Sequence, residues 1–191
     1  NGLTSARHDI LCPYYREKYP ETFDAGVDEK LVYCGPYKLE DKLEGSSMTI
    51  AQALLSPTRT YAPVIMKIMK KHPGLIKGLV HCSGGGQTKC VRFGKSVHFV
   101  KDNLMDVPPI FKAIQKASGT SDREMFEVYN MGHRMEVYCS KSDAKKVIDI
   151  AESYAVEARV IGHTEKSARP DRKNHVSVKY AGKTLEYGPR D

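Results

Sequence analysis

A chain of 191 residues is long enough to bury a substantial core within one domain. Its 30 Lys and Arg against 23 Asp and Glu leave a formal net charge of +7, an excess that suits nucleic acid, an anionic membrane or a phosphorylated small molecule. The basic residues are interleaved with acids, as in Arg16-Glu17-Lys18 and Asp122-Arg123-Glu124, without an arginine-rich aromatic stripe, so neither a nucleic-acid nor a membrane partner is expected.

Apolar runs at 62–69 and 75–80 are interrupted by Pro63, Lys67 and Lys77 and fall far short of the roughly 20 residues of a membrane span. Five scattered cysteines (Cys12, Cys34, Cys82, Cys90, Cys139) show no CxxC spacing, which points to free thiols in a reducing cytoplasm and to no metal site.

In chain order, Leu3, Ala6 and Ile10 share one face of a first helix that Pro13 should end. Residues 19–47 carry turn residues and charge without a sustained period, predicting a long surface connection with a short strand at Leu31 to Tyr33. Helical spacing resumes over 49–55, stops at Ser56-Pro57, and restarts after Thr60 with Pro63 in the first turn. Strands are predicted at 76–82, 97–101, 134–139, 157–164, 175–180 and 184–187, the last two joined through Ala181-Gly182-Lys183 as a hairpin. Helices are predicted at 108–116, 122–128 and 142–154, the last with Ser142 as N-cap. Helices over a mixed β-sheet with a closing hairpin make an α+β domain.

Four segments carry residue types suited to chemistry. Asn1-Gly2 stands at the mouth of a helix, where amides and a carboxamide can hold an anion. Leu54 to Tyr61 forms a polar turn in which Arg59 suits a carboxylate or phosphate. His81-Cys82-Ser83 opens into Gly84-Gly85-Gly86, whose backbone N–H groups can converge on a phosphate or oxyanion. Tyr129-Asn130-Met131-Gly132 precedes a strand. Each segment alone reads equally as a cap, an inter-helix turn, a core histidine with a tight turn, or a helix end.

Taken in order with Val107-Pro108-Pro109-Ile110-Phe111, these segments resemble the aminoimidazole ribonucleotide synthetase family, the phosphoribosylformylglycinamidine cyclo-ligases of purine biosynthesis. The resemblance implies an α+β C-terminal domain whose N-terminal partner domain lies outside this chain, carries the acidic residues for ATP and Mg²⁺, and forms a dimer core. It implies a cytoplasmic enzyme in which ATP phosphorylates the formyl amide oxygen of formylglycinamidine ribonucleotide. The amidine nitrogen then closes the ring, releasing aminoimidazole ribonucleotide, ADP and phosphate. By the same resemblance, His81 and Asn1 face the reacting portion of a phosphorylated substrate. Gly2, Thr58, Arg59, Ser83, Gly84, Gly85 and Gly86 bind substrate or phosphate, and Asn130 and Gly132 shape the cleft floor. The acids of this chain, among them Asp9, Asp24, Asp28, Asp102 and Asp106, are isolated in sequence, so the chain alone is expected to be inactive.

Two stretches depart from the family pattern. Gln87-Thr88-Lys89 follows the triple glycine where a more apolar helix start is expected, and His133-Arg134 stands where many relatives carry a small or apolar pair. Thiamine monophosphate kinase and selenophosphate synthetase share the two-domain, ATP-using plan. The Pro-Thr-Arg-Thr-Tyr and Asn-Met-Gly segments favour the cyclo-ligase. A non-catalytic binding module is the alternative of a different class.

Overall fold

The computed structural model describes residues 2–189. Helix α1 (Leu3–Ile10) buries Ala6 and Ile10, and Gly2 precedes it in the left-handed region. Pro13 follows that helix as expected, but it also opens a short second one, α2 (Tyr14–Lys18). A proline ring pre-sets the φ of a first helical turn, where its missing N–H costs nothing.

Residues 19–49 are less peripheral than their polarity suggests. The strand predicted at Leu31 to Tyr33 is absent: Glu29–Leu31 forms a 3₁₀ turn capped by Asp28, whose carboxylate accepts the Lys30 N–H. Tyr33 then adopts a positive φ. Val32, Tyr33 and Leu43 are buried, and Tyr33 packs edge-on against Tyr15 and Phe23. Apolar burial at irregular spacing holds this segment to the core, with a backbone bridge between Leu11 and Tyr37.

Helix α3 (Ile50–Leu54) starts with a reciprocal capping box between Thr49 and Gln52. Helix α4 (Ala62–Lys71) carries Pro63 in its first turn. Strand β1 (Gly78–His81) is followed by a 3₁₀ helix, Gly86–Arg92, then β2 (Val97–Lys101). Helices α5 (Pro109–Ser118) and α6 (Asp122–Val128) lead to β3 (Met135–Tyr138). Ser121 caps α6 by accepting the Glu124 N–H.

Helix α7 (Ala144–Glu152) begins later than predicted. A 3₁₀ turn, Lys141–Asp143, intervenes, so Ser142 is not its N-cap. The strand predicted at 157–164 is displaced to β4 (Gly162–Lys166). Gly162 permits this close pairing, since a Cβ there would run into the backbone of Val100. Strands β5 (His175–Tyr180) and β6 (Lys183–Tyr187) form the expected hairpin.

The strands form two sheets. β1 and β3 make an antiparallel pair, and the larger sheet has the order β4-β2-β5-β6, with β2 and β5 parallel and the other neighbours antiparallel. The inner face of the larger sheet buries Phe99, Val176, Val178 and Tyr187 with Ile114, Met125 and Phe126. Its outer face carries His98, bonded to Glu165 at 2.7 Å and Ser177 at 2.8 Å, and stacked on His175. A second, smaller core joins Val64 and Ile68 of α4 to Ile150 and Ala151 of α7. The α+β class is as expected.

Candidate functional site

The two-stranded sheet sorts the chemistry by strand parity. Val80 and Cys82 point inward, while Leu79 and His81 point outward and are exposed. His81 is therefore not a core histidine. Its ring stands edge-on to Tyr61, with centroids 6.2 Å apart. The loop that carries Tyr61 is tied to the residue just before β3, Arg134, whose Nη1 donates to the Pro57 carbonyl at 3.2 Å.

After Ser83 the chain places Gly84, Gly85 and Gly86 successively at φ 69°, 116° and 48°, a run of left-handed conformations that only glycine adopts readily. The three are not equivalent. Gly86 is buried, and a Cβ there would collide with the carbonyl oxygens of Tyr129 and Phe126 at the end of α6. Gly84 is exposed, with Lys89 Nζ 4.0 Å from where its Cβ would be. Lys89 Nζ itself donates to the Ser83 carbonyl at 3.0 Å.

The structure brings the sequence-predicted segments together. Gly2 packs on the Tyr129 ring, where a Cβ would lie 2.6 Å from Cε1. Asn130 is buried, and its Oδ1 accepts the Gly132 N–H at 3.1 Å, closing the turn. Cys82 N–H donates to the Arg134 carbonyl at 2.7 Å, so the strand entering the triple glycine pairs with the chain leaving Asn130-Met131-Gly132. Thr58 and Arg59 are exposed on the Pro57 loop, and Arg59 Nη1 donates at 3.4 Å to the Ala155 carbonyl beside α7. Asn1 lies outside the described residues.

Beneath this surface lies a polar cluster that the sequence reading passed over. Lys101 is 3% exposed, yet its ammonium donates to Glu136 Oε1 at 2.5 Å, to the Gln87 carbonyl at 2.7 Å and to Gln87 Oε1 at 3.0 Å. Glu136 Oε1 also accepts from His133 Nε2 at 3.1 Å and from the Cys82 thiol at 3.2 Å, while Oε2 accepts the Tyr138 hydroxyl. The Gln87 amide, with its oxygen committed to Lys101, turns its nitrogen to the Asn130 carbonyl and to His133.

These partners set the protonation states. Burial works against a charged Glu136, but Lys101 and His133 overcome it and hold the carboxyl well below its ordinary value. Burial likewise opposes a charged Lys101, and Glu136 reverses the effect and raises it. Burial and the Glu136 charge push the Tyr138 hydroxyl and the Cys82 thiol upward. Burial pushes Cys90 up to about 11.

Among the described residues, Cys82, His133 and Glu136 bring three ligand atoms close together, as do His98, His175 and Glu186. In the first group the Lys101 ammonium already supplies the cation. In the second, both ring nitrogens of His98 are engaged and its ring is stacked on His175 at an interplanar angle of 12°. Neither is an all-oxygen donor set of the kind Mg²⁺ selects. No helix among the described residues is long and apolar enough to cross a membrane.

The pattern described as AIR synthase related protein, C-terminal domain, matches residues 36–173. The phosphoribosylformylglycinamidine cyclo-ligase of Methanococcus vannielii is 41% identical over 188 residues, covering 97% of this chain and 47% of the relative. Cyclo-ligases of the same name from Methanocaldococcus jannaschii and Caldicellulosiruptor saccharolyticus are 40% and 33% identical over 124 and 144 residues. These alignments cover 65% and 74% of this chain, and 35% and 40% of the relatives. The chain thus spans less than half the length of these curated relatives. With a family match over most of its length and a relative 41% identical over 97% of the chain, the chain belongs to the AIR synthase related family and has the fold of its C-terminal domain.

Proposed function

We propose that this chain is the C-terminal half of an ATP-dependent phosphoribosylformylglycinamidine cyclo-ligase. The observation that carries the reading is the joining of the Gly84–Gly86 loop to the Asn130–Gly132 turn, with exposed Gly84 and His81 at their edge. Two distant segments are held in one place by buried contacts while their exposed atoms remain available to a ligand.

In this reading the overall reaction takes formylglycinamidine ribonucleotide and ATP to aminoimidazole ribonucleotide, ADP and phosphate. Phosphorylation of the formyl amide oxygen turns it into a leaving group. Attack by the amidine nitrogen forms the ring C–N bond, and the C–O bond to phosphate breaks. The backbone amides of Gly84 and Gly85 donate to a phosphate, which can approach closely because neither residue carries a side chain. His81, exposed and oriented by Tyr61, moves a proton to or from the reacting amide. Arg59 and Thr58 border the substrate phosphate, and Asn130 and Gly132 form the floor. Gly2 closes the side next to Tyr129, and in this reading Asn1 contacts the reacting portion of the substrate.

Neither close ligand group among the described residues is the all-oxygen set that Mg²⁺ selects, and in this reading the metal-nucleotide and its acidic ligands are held by an N-terminal domain outside this chain. Cytoplasmic location and a homodimer complete the proposal. The deciding experiment supplies the full-length polypeptide with formylglycinamidine ribonucleotide, ATP and Mg²⁺. Stoichiometric ADP and aminoimidazole ribonucleotide support the reading, and absence of both overturns it. The 191-residue chain alone should give neither.

A further inference from the structure

We propose that the buried Lys101–Glu136 pair is a positioning device. It locks the Gly84–Gly86 loop and the Asn130–Gly132 turn into one rigid wall before a phosphorylated ligand arrives. The inference deepens the proposed function and rests on it for the identity of the ligand.

Four observations carry it. Lys101 comes from β2, at the edge of neither motif, and its ammonium reaches the carbonyl of Gln87, the residue directly after the triple glycine. The same ammonium holds Gln87 Oε1, which fixes the orientation of the amide. The Gln87 nitrogen then donates to the carbonyls of Asn130 and His133, the residues flanking Met131-Gly132. Glu136 completes the circuit: it neutralises Lys101 and binds His133 Nε2, so His133 is left with Nδ1 toward Gln87.

Stability alone does not account for such an arrangement. Two charges taken out of water cost much of what their attraction returns, and well-packed apolar residues often stabilise a core as well or better. What apolar side chains cannot supply is a set of directional bonds to backbone carbonyls in both the Gly84–Gln87 loop and the Asn130–His133 turn. A fully satisfied network of this kind selects one arrangement of the backbone. Gly86 reinforces the effect because it leaves no room between the loop and the end of α6.

The test uses Lys101→Met, Glu136→Gln and the double variant Lys101→Met/Glu136→Leu in the full-length polypeptide. It reads steady-state kinetics, melting temperature and amide hydrogen exchange of residues 84–90 and 130–134. We expect Lys101→Met to raise KM for the ribonucleotide at least tenfold with a smaller change in kcat, and to speed exchange in both segments together. The double variant should recover the melting temperature lost by the single variant but neither the KM nor the exchange protection. That split separates positioning from simple structural support, and the double variant keeps the test open where a lone buried charge prevents folding. A double variant with KM within threefold of wild type, or loss of protection in only one segment, overturns the inference. If the wild-type polypeptide lacks cyclo-ligase turnover, the proposed function fails separately, and joint or split exchange still decides the coupling.

Discussion

Gln87 and His133 meet in the core: the carboxamide nitrogen of Gln87 lies 3.5 Å from Nδ1 of His133 and 3.4 Å from its carbonyl oxygen. These residues stand 46 positions apart, in the two stretches Gln87-Thr88-Lys89 and His133-Arg134 that the sequence sets apart by expectation from the family pattern. The two stretches are therefore joined in space. A polar side chain after the triple glycine has its partner in a polar side chain after Asn130-Met131-Gly132, and Lys101 and Glu136 supply the charges that both require.

The unequal glycines lead to a contrast between two small substitutions. Gly86→Ala should lose roughly 2–4 kcal/mol, because its Cβ meets two carbonyl oxygens at a positive φ. For a chain of this size that corresponds to a fall in melting temperature of about 5–15 °C. Gly84→Ala meets only the end of the Lys89 side chain, so its cost is limited to left-handed strain of about 1 kcal/mol. Thermal melts of the two variants side by side check the order, and equal losses would contradict it.

His81 should matter to turnover and little to folding, since its side chain is exposed on the outer face of β1. In the full-length polypeptide, His81→Ala should lower kcat/KM by about 100-fold, a scale common for an acid–base group. Its melting temperature should stay within about 2 °C of wild type, as for most exposed substitutions. A kcat/KM within about threefold of wild type, under 1 kcal/mol of transition-state stabilisation, removes His81 from the chemistry.

Acid should act through Glu136. Its carboxyl is held below the ordinary value of 4.5 in the folded chain, so ionised Glu136 contributes stability that is fully present above that value. This stability is lost progressively as pH falls below it. Denaturant melts at pH 7, 4.5 and 3 should show that Glu136→Gln lowers stability at pH 7 and flattens the acid decline. An unchanged slope between pH 4.5 and 3 would show that the carboxylate is not held by its partners.

Thiol accessibility offers a check without kinetics. Cys34 is exposed, whereas Cys82 and Cys90 are buried with their thiols held protonated, Cys90 at about 11. Because the thiolate is the reactive form, an aromatic disulfide reagent at pH 8 should modify Cys34 first. Cys82 and Cys90 should react only when the chain unfolds. Mass mapping of the labelled positions reads the order directly.

Much of the frame was legible because periodicity reports burial. Helix α1 with Ala6 and Ile10 buried and the Ala181-Gly182 hairpin appear where sequence places them, whereas Leu3, expected on the same face, is exposed. Segment 31–33 was misread because Leu31, Val32 and Tyr33 are apolar in succession, a pattern common to a short strand and to an irregular segment pressed on a core. The site divides in the same way. Its glycines and His81 announce themselves, whereas Lys101 and Glu136 are ordinary charged residues taken singly. One signal was present: Lys101 shares parity with inward-facing Phe99 on β2, and Glu136 sits two positions before Tyr138 on β3. Their pairing depends on tertiary placement of strands from different sheets.

The shared cation also constrains how such a sequence can change over generations. Losing Lys101 or Glu136 alone strands the other charge in a dry interior, a step costing about 3–5 kcal/mol, a large fraction of the stability of a typical domain. Exchange of both, together with Gln87 and His133, has no such barrier. Related chains should therefore keep Lys101 and Glu136 together or replace both, with a lone buried charge rare. Joint retention or joint loss of positions 101 and 136 is thus the pattern of change that the dry interior of the domain permits.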